Sequence, residues 1–323
     1  MRSAARFALL AIVLATGAEA EYDAYEGLNA PTPERCARNK TLLLLRHAEG
    51  HHNADEVKAE LEQRWRQSPR WAELRRQHGI AWMLLEEVSG RKYHDPLLTR
   101  KGRQQCRNLH THLHGDLSSA AVDLVAVSPM RRTIQTALLA LPSLEAAATS
   151  FGIDGPAPPP IVATDLLRER VGICMCDSRL RVSELRSFFG RLAANASIDF
   201  GEVDEEDTPF LLGASETGGA DQATATPEGA ARAAAALDAR AARALDWLMS
   251  RPDDQQRIAL VSHRHFLEAL TRRLPSASHE PFENAEARTL LLCEMRAEGE
   301  AARRATPKGS TTRVRVQPLQ AGN

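Results

Sequence analysis

Four short apolar runs, Thr41–Leu45, Val122–Val127, Ile258–Val261 and Arg288–Met295, constrain the fold of this chain more than any other feature. Leu, Val and Ile follow one another in them without polar alternation, and a strand with no polar side needs cover on both faces. Helical stretches lie between the runs. Thr99 opens one that continues through Cys106, Leu109 and Leu113. Thr226-Pro227-Glu228 supplies a cap residue, a first-turn proline and an early acid. It opens a long Ala/Arg helix to about Ser250, whose Ala-rich face reads as core packing. Strands alternating with helices predict an α/β domain with a central sheet between helical layers.

The remaining segments read differently. Residues 1–20 have the layout of a secretory signal peptide: basic Arg2 and Arg6, an apolar stretch from Phe7 to Thr16, and Ala18-Glu19-Ala20 as a cleavage pattern. The secretory pathway or secretion is therefore expected, with an organelle transit peptide as the alternative. Asn39-Lys40-Thr41 and Asn195-Ala196-Ser197 would then be glycosylation acceptors. Residues 21–40 form a lead-in, 41–296 the domain, and 297–323 a polar tail. Residues 55–90 are charged and read as helices broken near Pro69, an insertion that could form a cap. Residues 141–160 and 201–226 read as loops, and the acidic stretch Glu202–Asp207 as solvated.

Composition excludes several classes of function. The formal net charge of -1 offers no broad basic face to nucleic acid, and no run reaches the roughly 18 apolar residues that span a bilayer, so no stable membrane insertion is expected. Five cysteines (36, 106, 174, 176, 293) are too few for a disulfide scaffold, and Cys174-x-Cys176 lacks a second pair for zinc. Buried thiols, or one or two incidental bridges, are expected. The cations are five Lys and thirty-six Arg, so the question is which few Arg have a chemical task.

The strand ends answer it. Leu45-Arg46-His47-Ala48-Glu49-Gly50-His51-His52-Asn53 follows the first strand, where ligand sites of open α/β sheets lie. Ser128-Pro129-Met130-Arg131-Arg132 follows the second, Leu167-Arg168-Glu169 follows a Pro-rich loop, and Val261-Ser262-His263 ends a third. Two His, two Arg and one Glu at successive strand ends would converge on one pocket. Guanidinium forks suit an anion with several oxygens, because each binds two oxygens and stays charged. Arg131 projects elsewhere on its helix, and His51 and His52 are candidates for the pocket mouth. His110, His112 and His114 read as exposed positions of a helix, not a metal run.

The Arg-His, Ser-x-x-x-Arg and terminal Ser-His motifs resemble those of the histidine phosphatase superfamily, which includes the phosphoglycerate mutases. The likeness is greatest to the plant-type phosphoglycerate-mutase-like proteins and spans roughly residues 41–296. Asp95-Pro96-Leu97-Leu98-Thr99-Arg100-Lys101-Gly102, Cys176-Asp177-Ser178-Arg179 and Phe282–Arg288 support it. The resemblance implies a three-layer sandwich with a mixed, mostly parallel sheet and inserted cap segments. It implies that His47 is a phosphate-accepting nucleophile and Glu169 the proton donor to the leaving group. Arg46, Arg132 and His263 would hold the phosphoryl oxygens, assisted by Asn53. Ala48 stands where Gly is usual, and Arg264 where a small residue is usual.

The expected activity is metal-independent hydrolysis of small phosphomonoesters through phosphohistidine, with no cofactor, since two Arg and a protonated His supply the positive charge. A phosphomutase using the same residues, and a non-catalytic phosphate-binding module, are the alternatives.

Overall fold

In the computed structural model a seven-stranded sheet runs through the protein in the order β1-β7-β2-β6-β3-β4-β5. The strands are β1 (Tyr22–Glu26), β2 (Cys36–Arg46), β3 (Leu124–Val127), β4 (Ile161–Thr164), β5 (Ile198–Glu202), β6 (Arg257–Ser262) and β7 (Ala287–Met295). The helices are α1 (His51–Ala54), α2 (Arg100–Gly115), α3 (Arg131–Ala140), α4 (Val182–Gly190), α5 (Pro227–Met249) and α6 (Arg264–Arg272), with short 3-10 turns at Asp165–Leu167 and Met175–Asp177. The structure describes residues 22–26, 36–54, 94–115, 122–144, 158–171, 175–190, 197–207 and 227–295. The signal-peptide, cap-forming and tail segments of the sequence reading, and Asn195, lie outside the described residues.

Strand pairs β2·β6, β6·β3, β3·β4 and β4·β5 are parallel, whereas β7 pairs antiparallel with β1 and β2. The mixed, mostly parallel sheet follows from the sequence pattern, because crossover helices cover both faces. Alternate residues of each buried strand serve opposite cores. Leu43, Leu45, Val125, Val127, Ala259 and Val261 pack with Cys106 and Leu109 of α2, Ile134 and Ala137 of α3 and Leu185 and Phe189 of α4. Leu42, Leu44, Leu124, Ala126, Ile258 and Leu260 pack with Leu237, Ala241 and Leu245 of α5 and Phe266 and Leu270 of α6. These are the three layers that the continuous apolar runs demand.

Three strands escape the sequence reading. β4 and β5 are only four and five residues long, and Ile198–Glu202 has a single buried residue, Phe200, with Ile198 only half-buried and Asp199 and Glu202 exposed. The first strand draws residues of the lead-in into the sheet beside β7. The bond Cys36–Cys293 then joins the beginning of β2 to β7 across a sequence separation of 257. Cys106 is a buried free thiol.

Thr99 caps α2, its Oγ1 accepting from Gly102 N–H at 2.9 Å and donating to Glu49 Oε1 at 2.8 Å. A side chain at Gly102 would place Cβ 2.1 Å from the Glu49 carbonyl oxygen. Glycine there is what lets the helix start press against the loop that follows β2.

Candidate active site

His47 is the first residue beyond β2. Its N–H donates to Ser262 O at 2.9 Å, and its carbonyl accepts from Asn284 Nδ2 at 3.1 Å and Ala285 N at 3.3 Å. Ala285 holds that position with φ 58°, a left-handed conformation that disfavours a side chain. The buried imidazole has Nδ1 2.7 Å from Ala48 O. A carbonyl only accepts, so the proton resides on Nδ1 and the Nε2 lone pair is free. Burial, and then the nearby charges of Arg132, His52 and Arg46, push its pKa well below the usual imidazole value. At neutral pH this ring is uncharged and nucleophilic.

Its neighbour His263 follows β6 in the adjacent parallel strand, ring centroids 5.1 Å apart and nearly edge to face. Arg132, in the first turn of α3, donates from Nη2 to His263 Nδ1 at 3.1 Å, so the proton of His263 sits on Nε2, 2.9 Å from Ser128 Oγ. Burial and Arg132 depress the pKa of this imidazole too. The histidine expected to be protonated is therefore neutral, because burial disfavours its charge and a guanidinium N–H already occupies one nitrogen.

Arg132 is buried. Besides His263 it bonds Cys176 O through Nη1 at 2.5 Å and Asp177 Oδ1 through Nη2 at 3.0 Å. Arg46 donates from Nη1 to Phe282 O at 2.6 Å. Nε of both arginines is buried without a partner, a donor that an anion could satisfy. Arg168 Nε is likewise buried without a hydrogen-bond partner, so the property alone does not mark a ligand site.

Glu169 lies just past β4 and the 3-10 turn Asp165–Leu167. Oε2 accepts from His265 N at 3.2 Å and lies 3.1 Å from His265 Nδ1, while Oε1 accepts from Arg170 N at 2.9 Å. Burial works to raise its pKa, but the His265 and Arg170 bonds outweigh it and bring the carboxyl down to about 2. Arg240 of α5 fixes the backbone below it, donating to Arg168 O at 2.7 Å and Glu169 O at 2.9 Å. Asp177 shows the opposite balance. Burial dominates, repulsion from Glu169 adds to it, and the attraction of Arg132 is insufficient, so its pKa rises to about 6.

The structure therefore gathers Arg132, His263 and His47 in direct succession. Arg46 and Glu169 exert their charge on the same group of rings. Asn53 acts locally, its Oδ1 accepting from Gly50 N at 3.1 Å. Arg131 is structural, binding Asp95 O at 2.7 Å and His94 O at 3.0 Å and stacking over Phe188. Arg264 pairs with Glu268 at 2.8 Å on the exposed side of α6. Ala48 has no positive φ, so the change from Gly brings no strain. His110 and His114 lie 6.0 Å apart by ring centroids on α2, with His112 exposed.

One further expectation needs correction. The acidic stretch ending at Asp207 is not simply a solvated loop: Asp207 is buried and grips Arg168 through both oxygens, at 2.5 and 3.1 Å, and Arg179 N at 2.9 Å. Asp177 and His265, which shape the charge of the pocket, escape the sequence reading of the site. Both stood beside quoted motifs, in Cys176-Asp177-Ser178-Arg179 and after Ser262-His263-Arg264, but no spacing rule singled them out.

The family model described as histidine phosphatase superfamily (branch 1) matches residues 78–150 and 198–305, more than half of the chain. A phosphoglycerate mutase-like protein of Arabidopsis thaliana is 29% identical over 286 residues, covering 84% of this chain and 87% of that protein. The phosphoglycerate mutase-like protein 1 of the same plant is 26% identical over 275 residues, with 80% of each chain covered. Among solved structures, a phosphoglycerate mutase from Bacillus anthracis str. Sterne is 16% identical over 80% of this chain and 90% of that one. Its TM-score of 0.41 is too low to carry weight. With its Arg-His, Ser-x-x-x-Arg and Ser-His motifs brought to neighbouring strand ends, the chain belongs to the histidine phosphatase superfamily.

Proposed function

We propose that the protein is a metal-independent phosphatase that hydrolyses small phosphomonoesters through a phosphohistidine at His47. The observation that carries this reading is the His47 ring itself: neutral, proton on Nδ1, lone pair on Nε2, and flanked by Arg46 and Arg132. In the first step Nε2 forms a bond to phosphorus as the P–O bond to the alcohol breaks, and Glu169 gives that oxygen a proton. In the second step water attacks phosphorus, the P–N bond breaks, and the ionised Glu169 takes the water's proton. Glu169 enters ionised, so the acid step needs a proton taken up as the phosphoryl dianion arrives and raises the carboxyl's pKa.

Arg46, Arg132 and His263 hold the three equatorial oxygens, with Asn53 assisting through its amide N–H. A loose phosphoryl transition state spreads its charge over those oxygens, so preorganised cations provide most of the acceleration. Removing one such donor should cost about 10²–10³ in kcat.

Hydrolysis is favoured over transfer back to substrate by the setting. The Cys36–Cys293 bond suits an oxidising compartment, in keeping with a secretory route for the chain. The deciding assay is turnover of a panel of phosphomonoesters in chelator-treated buffer by the wild type and His47→Ala. The wild type should release phosphate and form an acid-labile phosphoprotein, and His47→Ala should do neither. Equal turnover by the two proteins would sink the mechanism. Conversion of 3-phosphoglycerate to 2-phosphoglycerate faster than phosphate appears would favour the mutase instead.

A further inference from the structure

His52 has no part in the mechanism above, yet it stands beside the nucleophile. Its ring centroid is 5.6 Å from that of His47, the two planes tilted by 46°. It projects from α1, the single turn that follows the Arg46-His47 strand end. Nδ1 is buried without a hydrogen-bond partner, and among the described residues Nε2 makes no hydrogen bond. Room for the ring comes from Gly50. A Cβ built there would lie 2.8 Å from His52 Nδ1 and 2.9 Å from Cε1. Gly50 does not have a left-handed φ, so what glycine contributes is space for the imidazole, not backbone freedom.

We infer that His52 is a further phosphoryl-binding residue, its Nε2–H directed at an oxygen of the anion that His47 attacks. The inference rests on the proposed phosphoryl site and deepens it. The charged and titratable groups around the ring are Arg132 of α3, Arg46 and His47 at the end of β2, His51 beside it, His263 after β6 and Glu169 after β4. Burial first, then Arg132 and Arg46, keep the free imidazole neutral. A dianionic phosphoryl group entering between these cations reverses the balance, and His52 then takes up a proton and donates a charge-assisted bond. The site thereby favours the doubly charged phosphomonoester over a singly charged diester.

The test uses tungstate, a phosphate-shaped dianion that undergoes no turnover, titrated calorimetrically at pH 7 in buffers of different ionisation enthalpy. Wild-type protein should bind it with proton uptake. His52→Gln should bind about tenfold more weakly and take up fewer protons, with circular dichroism and melting unchanged. Gly50→Ala, which displaces the ring without altering its chemistry, should reproduce the loss, and the double variant should add nothing further. Wild-type affinity and proton uptake in His52→Gln, or no tungstate binding by the wild type, would overturn the inference. Because the readout is binding, it separates from the catalytic reading. An unchanged His52→Gln beside an inactive His47→Ala removes only the role of His52. A His52-dependent tungstate site in a protein that turns over no phosphomonoester removes only the hydrolase.

Discussion

Arg132 donates to Asp177 Oδ1 at 3.0 Å, so one guanidinium of the pocket already carries a carboxylate. With burial holding the Asp177 pKa up at about 6, the carboxyl is ionised above that pH and competes with an incoming anion, and is neutral below it. Tungstate should therefore bind more weakly as pH rises from 5 to 8. Asp177→Asn should make this dependence shallower and tighten binding several-fold at pH 8. An unchanged pH profile in titrations of Asp177→Asn would show that the carboxylate does not compete.

Glu169 and His265 make the reverse case. The carboxyl pKa is depressed to about 2, so the group contributes stability that is present above its ordinary value near 4.5 and is lost as pH falls toward 2. His265→Ala removes the Nδ1 contact while the backbone N–H remains. Since the His265 side chain is 39% exposed, solvent screening limits the loss at pH 7 to about 1 kcal/mol. Urea unfolding should also show a shallower fall in stability between pH 5 and 2 than the wild type shows.

Asp207 is bound to Arg168 through both oxygens and also receives Arg179 N–H. Asp207→Asn leaves the buried Arg168 cation short of its counter-charge and should cost about 3–5 kcal/mol. Activity should fall as well, because Arg168 adjoins Glu169. Asp204 contributes only its backbone carbonyl to Arg179, and its exposed side chain makes Asp204→Asn a control expected within about 0.5 kcal/mol of wild type. Chemical denaturation of the two variants side by side checks the contrast.

The Cys36–Cys293 bond closes a loop between β2 and β7 across a sequence separation of 257. A cross-link over so long a loop restricts the unfolded chain strongly, and Cys36→Ser should cost about 2–4 kcal/mol. Cys176 is disulfide-bonded as well, so a reductant should lower the melting temperature of the wild type by more than it lowers that of Cys36→Ser. Identical melting of the oxidised and reduced wild type would mean that the bond adds nothing to stability.

The sequence by itself determined the α/β class, the central strands and the residues at their ends. Continuous Leu/Val/Ile runs such as Leu42–Leu45 leave a strand no solvent face, and a dipeptide such as Arg46-His47 at a strand end can be read locally. The proximity of Arg46, His47, Arg132, Glu169 and His263 was legible because parallel strands bring their carboxyl ends to one edge. Short or polar strands such as Ile198–Glu202 were not, since their pairing depends on partners far away in the chain. Tertiary structure alone decided the charge states. Glu169 is held ionised by His265, Asp177 is drawn up by burial, and His263 is kept neutral by burial and by Arg132 at its Nδ1. It also decided that Asn53 turns its oxygen to Gly50, that Asp207 is buried on Arg168, and that His52 lies against His47. Charge at a site is set by desolvation and by neighbours a few ångströms away, and residues 96 or 131 positions apart become such neighbours only when the sheet assembles.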